Sequence, residues 1–420
     1  WRENSFNMLF FMVALQRVYV SIKIFYADIE FLDIIDVSGA GLIWKATFLS
    51  LIGLLFLALG MHIFNKKNKS FSKEDLDLII QPMKISQLFK AYIYSLGFTI
   101  FLGPVIWRFP GLTQLLLPLT NIKYIFAFLA LAVIFYKKRN YSLALLIILI
   151  ETIIGITGFF AEFTTIYIIL FIVYITANLN KVHGKVLRRA GMIVLILITF
   201  LIIWTAIKPE YREFVNGGFG DQQVRASFTD RITTIVQLTF DLDGLKINDA
   251  SDALVNRISQ TKYFAEVVEQ VPQRVSYEKG KLWGSVIKHV ITPRIIFKNK
   301  AAISDSARSN PYLINKVAGV SGGTSISLGY MAESYIDFGP YLMFIPIFLV
   351  GLIYSFVEFL ILRRSKYLIT GFALSMIILF PGIFYETSNI KLVGLLITNF
   401  ITLYTLFILF ENKLYAYLTK

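Results

Sequence analysis

The sequence predicts an all-α protein threaded repeatedly through a membrane, and three observations carry that expectation. Hydrophobic residues make up 56% of the 420-residue chain and charged ones only 16%, with a mean hydropathy of +0.66, outside the composition of a soluble domain of this length. The apolar residues fall in long runs of the length that crosses a hydrocarbon core as helix. The short segments between the runs alternate between strongly basic and non-basic, as loops on opposite membrane faces do.

Ten runs qualify: 8–27, 42–64, 87–107, 120–136, 141–160, 162–178, 190–206, 341–362, 367–384 and 392–411. The first carries Gln16, Arg17 and Lys23 within it. Among the connections, "NKKNKSFSK", "YKKRN", "NKVHGKVLRR" and "LRRSK" are basic, whereas "ADIEFLDIIDVSGAG" holds four acids and no base. A single alternation accommodates all of them, with both termini and the basic loops cytoplasmic and 28–41, 108–119, 385–390 and 207–340 on the other side. Three parts follow: spans one to seven over 1–206, a large extracytoplasmic segment over 207–340, and spans eight to ten over 341–420. The chain opens on Trp1 rather than Met and without a signal-peptide pattern, which predicts further residues upstream.

The large segment balances 16 Lys and Arg against 14 Asp and Glu, unlike the basic loops. Within it, "TDRITTIVQLTFDLDGLK" and "NDASDALVNRISQTKYFAEVVEQV" carry apolar residues at helical spacing behind Asp or Ser starts, predicting helices against the membrane face. "NGGFGDQQ" and "PQRVSYEKGKLWG" read as the connections between them.

Composition also excludes. The chain has no Cys, which removes thiolate catalysis, disulfides and Cys-ligated metals. Its excess of basic residues, 41 against 27 acids, belongs to cytoplasmic loops and anionic lipid rather than to nucleic acid. No Walker loop, HExxH or GxSxG is present, so the usual catalytic patterns are missing.

The residues left to carry chemistry are few. His289 is the only His in the outer segments; it is either a general base or a hydrogen-bonded structural residue. Eight arginines lie in the outer segments, Arg108, Arg212, Arg225, Arg231, Arg257, Arg274, Arg294 and Arg308; a planar guanidinium grips phosphate in two places at once, and the alternative is pairing with neighbouring acids at a solvated surface. Arg212 in "IKPEYREF" and Arg294 in "HVITPRIIFKNKAAI" should lie near the membrane plane. Glu151 stands inside the run 141–160, where an acid is a proton relay, ion site or substrate contact, or is neutral and hydrogen-bonded by Thr152, Thr157 and Thr164. In "GGTSISLGYMAESYIDFGP" the spacing places Tyr330, Glu333 and Asp337 on one helical face. That stretch is either a polar site at the membrane surface or an amphipathic interfacial helix broken by "FGP" before the next span.

The run "YEKGKLWGSVIKHVITPRIIFKNKAAI", followed by "GTSISLGYMAESYIDFGP" and a span, resembles the bacterial oligosaccharide repeat-unit polymerases, the Wzy or O-antigen polymerase group. Phe297, Lys300, Glu333, Tyr335, Phe338 and Gly339 match that pattern; Ala301, Ala332 and Asp337 depart from it. Lys208, Tyr211 and Arg212 after the seventh span are similar to the group as well. The resemblance implies a GT-C-like plasma-membrane glycosyltransferase working on polyprenyl-diphosphate-linked oligosaccharides, beside a flippase and a chain-length regulator and without metal or cofactor. It implies Arg212, Arg257, Arg294 and Arg308 at the leaving diphosphate, and Glu333, then His289 or Asp337, as the base for the acceptor hydroxyl. An O-antigen ligase or a transporter coupled through Glu151 are the alternatives.

Overall fold

The computed structural model describes residues 40–65, 73–109, 111–159, 162–178, 184–219, 223–241, 249–250, 253–254, 261–294, 296–297, 300, 303–314, 316 and 326–420. Among the described residues all regular structure is helical, with no strand. Six of the expected spans coincide with helices long and apolar enough to cross a membrane: 41–64, 85–106, 113–137, 184–216, 344–364 and 389–419. The runs 141–160, 162–178 and 367–384 form shorter apolar helices, and 8–27 lies outside the described residues. Two of the shorter helices are enclosed, whereas Tyr141–Ile156 buries only Ala144, Ile147, Glu151 and Gly155. Every residue of Leu368–Leu379 is buried, as is 166–174, so protein rather than lipid satisfies these segments.

The tightest seam joins α1 (Ala40–Asn65) to α12 (Phe344–Arg364), the helix that follows the polar segment. Between them lie α2 (Lys73–Ile80), α3 (Ile85–Arg108), α4 (Ile122–Lys137), α5 (Tyr141–Ile156), α6 (Thr164–Asn178), α7 (Gly184–Asn216), α8 (Phe228–Phe240), α9 (Thr261–Gln270), α10 (Lys281–Ile291) and α11 (Gly329–Leu342). After α12 come α13 (Leu368–Leu379), α14 (Asn389–Asn399) and α15 (Thr405–Thr419). Small residues make the seam possible. A Cβ on Gly60 would run into the carbonyl oxygen of Phe348, and one on Gly351 into that of Leu57. Contacts advance together along both helices, Gly53 with Ile347, Gly60 with Leu352, Phe64 with Phe359, so the two run parallel.

The polar connections sort to two ends of the bundle. At one end Lys137 donates to the carbonyls of Gln81 and Met83, the Tyr415 hydroxyl to Ile79, and the amides of Lys366 and Tyr367 to Glu411. The basic connections that follow α4 and α12 gather here, with the C-terminal helix. The 157–159 turn and α8 meet at the other end, where α7 runs on through Lys208 and Pro209 to Asn216.

The helical pattern within the large segment is observed over 228–240, 249–250, 253–254 and 261–270; 242–248, 251–252 and 255–260 lie outside the described residues. Ser227 caps α8 by accepting the amide of Asp230. Helix α11 departs from an interfacial helix altogether, because 329–337 are buried throughout. It kinks where "FGP" predicts a break. Gly339 takes φ +71° with Pro340 behind it, and the Tyr277 ring packs within 3.0 Å of where a Cβ would stand.

Replacing Gly351 with Leu should part α1 from α12 and lower stability by about 1–3 kcal/mol or prevent folding. Gly97→Leu, at a site with nothing within 4 Å, is the matched control. Thermal unfolding of both in detergent separates a packing effect from a lipid-facing one.

Candidate functional site

Helix α11 carries two acids one turn apart, both buried, and each is compensated by the start of another helix. Asp337 accepts the amides of Leu282 at 3.0 Å and Trp283 at 2.8 Å, the first free donors of α10. Glu333 accepts the amide of Asn389, the first residue of α14, at 3.0 Å. Trp283 adds an indole bond to Ser334 at 3.1 Å, locking α10 to α11. At the start of α11, Gly329 adopts φ +81° and the Tyr330 amide bonds the carbonyl of Thr387, which docks the helix on the segment leading into α14. The Tyr330 ring lies 6.0 Å from that of Tyr385.

Around Glu333 the polar groups form one connected set. Arg308, from the short helix Asp305–Ser309, places Nη2 3.6 Å from Glu333 Oε2 and 3.0 Å from Asn389 Oδ1, with Nη1 2.8 Å from Ser285 Oγ on α10. Asp305 on the same short helix takes Ser388 Oγ at 3.0 Å and pairs with Lys391 Nζ at 2.5 Å. Burial pushes the Glu333 carboxyl up to about 7, against the pull of Arg308 and the Asn389 amide. Burial raises Asp337 as well, while its two backbone bonds oppose the shift.

His289 follows Ser285 by one turn of α10. Burial, with the cations Lys300, Arg294 and Arg308 around it, brings its imidazole down to about 4, so it is neutral at physiological pH. Lys300 reaches the His289 carbonyl at 2.5 Å. His289 and Lys391 open onto a cavity of about 720 Å³, a size suited to a sizeable small molecule. Its walls are mostly apolar, from Leu117, Ile377, Phe380 and Leu395 among others, and Gln114, Thr387 and Asn399 are polar points along it.

Of the residues expected from sequence, the fold therefore gathers Glu333, His289, Arg294 and Arg308 around one place. Asp337 sits one turn from Glu333 but is engaged in starting α10. Arg212 belongs to a separate group: its Nε donates to the Phe159 carbonyl at 3.1 Å, with the guanidinium 4.5 Å from the Phe159 ring. Arg257 lies outside the described residues. Glu151 is not held by the threonines. Its partners are Lys123 Nζ at 2.6 Å and the Tyr92 hydroxyl at 3.0 Å, while Thr152 and Thr157 bond carbonyls of their own helix. Lys123 sits near the start of a span, where a lysine reads as an anchor, and only the packing of α4 on α5 reveals it as a partner.

Sequence reasoning also missed Asn389, Ser285, Asp305 and Lys391. Asp305 and Lys391 lie 86 positions apart in a chain that folds mainly by local helices, so no periodicity links them. Among the described residues no group of three His, Asp or Glu side chains converges as metal ligands would.

Helices of this length and apolarity, with a polar site enclosed at one end of the bundle, define a polytopic helical membrane protein. The chain belongs to the family described as a domain of unknown function, DUF8712, which matches residues 8–416. No curated protein and no solved structure matches it.

Removing one member of the buried Lys123–Glu151 pair should be far worse than removing both. Glu151→Leu alone should cost about 3–5 kcal/mol by stranding the ammonium, and adding Lys123→Met should recover most of it. Urea or thermal unfolding of the two variants side by side reads the difference.

Proposed function

We propose that this protein is a membrane glycosyltransferase that polymerises polyprenyl-diphosphate-linked oligosaccharide repeat units into a surface polysaccharide. On this reading it has ten spans and a GT-C-like organisation, and it works at the outer face of a bacterial plasma membrane. The observation that carries the proposal is the juxtaposition of a mostly apolar cavity with a cationic, acid-bearing rim: Lys391 and His289 on the cavity, Arg308, Arg294 and Lys300 around His289, and Glu333 behind them. A polyprenyl chain suits the walls, and a diphosphate suits the arginines.

The chemistry follows from those groups. The bond between the donor's anomeric carbon and the diphosphate oxygen breaks, and a sugar hydroxyl of the incoming unit forms the new bond to that carbon. Arg308 and Arg294 stabilise the negative charge growing on the leaving diphosphate. The hydroxyl proton passes to Glu333, whose carboxyl titrates near the working pH and so suits a base that must take up and later release a proton. Neutral His289, with its depressed basicity, serves better as a hydrogen-bonding group than as that base. Asp337, committed to two backbone amides, supports the site by fixing α10. A flippase to deliver the substrate and a chain-length regulator to limit the product are the partners this activity requires.

Purified protein incubated with polyprenyl-diphosphate oligosaccharide extracted from producing membranes should yield a ladder of longer lipid-linked glycans. Transfer to a lipid core without chain growth would instead identify a ligase, and intact substrate moved across vesicles would identify a transporter. Glu333→Gln and Arg308→Ala should each lower elongation by at least about a hundredfold with membrane insertion unchanged.

The pH dependence has a definite sign. A base must be ionised, and Glu333 is protonated below about 7 rather than below the usual 4.5. Elongation should therefore fall as pH drops through 7, with a single-proton limb. A limb near 4.5 would remove Glu333 as the base.

A further inference from the structure

Arg308 and Glu333 do not hold each other directly. Their closest approach is 3.6 Å, an ion pair but too long for a hydrogen bond; the other guanidinium nitrogen Nη1 bonds Ser285 Oγ at 2.8 Å, and both residues bond Asn389. Its backbone N–H bonds Glu333 Oε2 at 3.0 Å and its side-chain Oδ1 accepts Arg308 Nη2 at 3.0 Å. The orientation of the amide is forced, because a guanidinium only donates and must meet the oxygen. The consequence is that Asn389 Nδ2 points the other way. Among the described residues neither Asn389 Nδ2 nor Arg308 Nε has an acceptor, although both are buried. A fully enclosed asparagine that leaves two donors unmet is poorly explained by stability alone. Its neighbours Ile390 and Lys391 line the cavity, so the first turn of α14 joins the cavity to the charged pair.

We infer that Asn389 is the positioning residue of this site: it holds Arg308 off Glu333 and so sets the state in which the carboxylate meets its substrate. The inference rests on the reading of Glu333 as the base. The groups acting on Glu333 are Arg308 and Asp305 from the short helix and Asp337 from α11 itself. Helix α10 brings His289, and α14 brings Lys391, which is paired with Asp305. Glu266 of α9 is turned to the amide of Ile314. Helix α1 meets α11 through Gly53 against Met331, and α12 brings Tyr354 beside Tyr330.

Two substitutions then act in opposite directions. Asn389→Asp keeps the shape and the backbone bond but draws Arg308 to a new carboxylate, so Glu333 should titrate higher by about one pH unit. Asn389→Ala frees Nη2 to close on Glu333, so the group should titrate lower by a similar amount. Infrared difference titration of the purified full chain, with the Glu333 band assigned by its loss in Glu333→Gln, reads this without any substrate. Midpoints that move up in Asn389→Asp and down in Asn389→Ala support the role; unmoved midpoints in both overturn it. If the midpoints move as stated but the wild-type protein builds no ladder, the positioning role stands and the polymerase reading falls. Where elongation is measurable, its acid limb should follow the same two shifts. A uniform loss of rate with an unmoved limb would make Asn389 merely structural.

Discussion

Two buried carboxylates one turn apart on one helix are the constraint around which the polar end of this protein is arranged. A buried acid must be compensated or neutralised, and here the compensation comes from the starts of two other helices. Asp337 takes the first amides of α10, and Glu333 takes the first amide of α14. Each contact satisfies donors that a helix leaves open and, in doing so, fixes where that helix begins. Two helices, α10 and α14, are thereby referenced to α11, and Arg308 and Asp305 of the short helix bond to the same set.

The two acids share a helix and differ in environment, and that difference separates their roles. Asp337 has both oxygens committed to backbone, an arrangement that anchors. Glu333 has one backbone bond and an arginine held at arm's length, an arrangement that leaves its proton labile near neutral pH. Burial, helped by the cations gathered around it, keeps the His289 imidazole neutral. Beside this polar set the cavity is mostly apolar, so the site as a whole is amphipathic. That combination is what makes a lipid carrying an anionic head the favoured ligand on the proposed reading.

Glu151 illustrates a different use of burial. Its pair with Lys123 and the Tyr92 hydroxyl ties α3, α4 and α5 together inside the bundle. A charge in an apolar run is legible from sequence, but its partner was not. Lys123 looks like an interfacial anchor by position, and the threonines nearer in sequence turn to their own helical carbonyls instead. The polar stretch around Glu333 was legible in the same partial way. Its spacing put Glu333 and Asp337 on one face of a helix and its glycine and proline marked the break. The burial of every residue from 329 to 337 came only from packing.

By itself the sequence determined the helical class, the positions of most spans and the break before α12, because hydrophobic run length and Gly-Pro chemistry are local properties. It also marked Glu333, His289, Arg294 and Arg308 as candidates for a site, with a structural or solvated role as the alternative for each. Tertiary structure alone decided that these four converge, that Arg212 stands apart with Phe159, and that Asn389 bridges the central pair. The reason is that burial and partnership are relations between segments far apart in the chain, and neither has a periodicity to betray it.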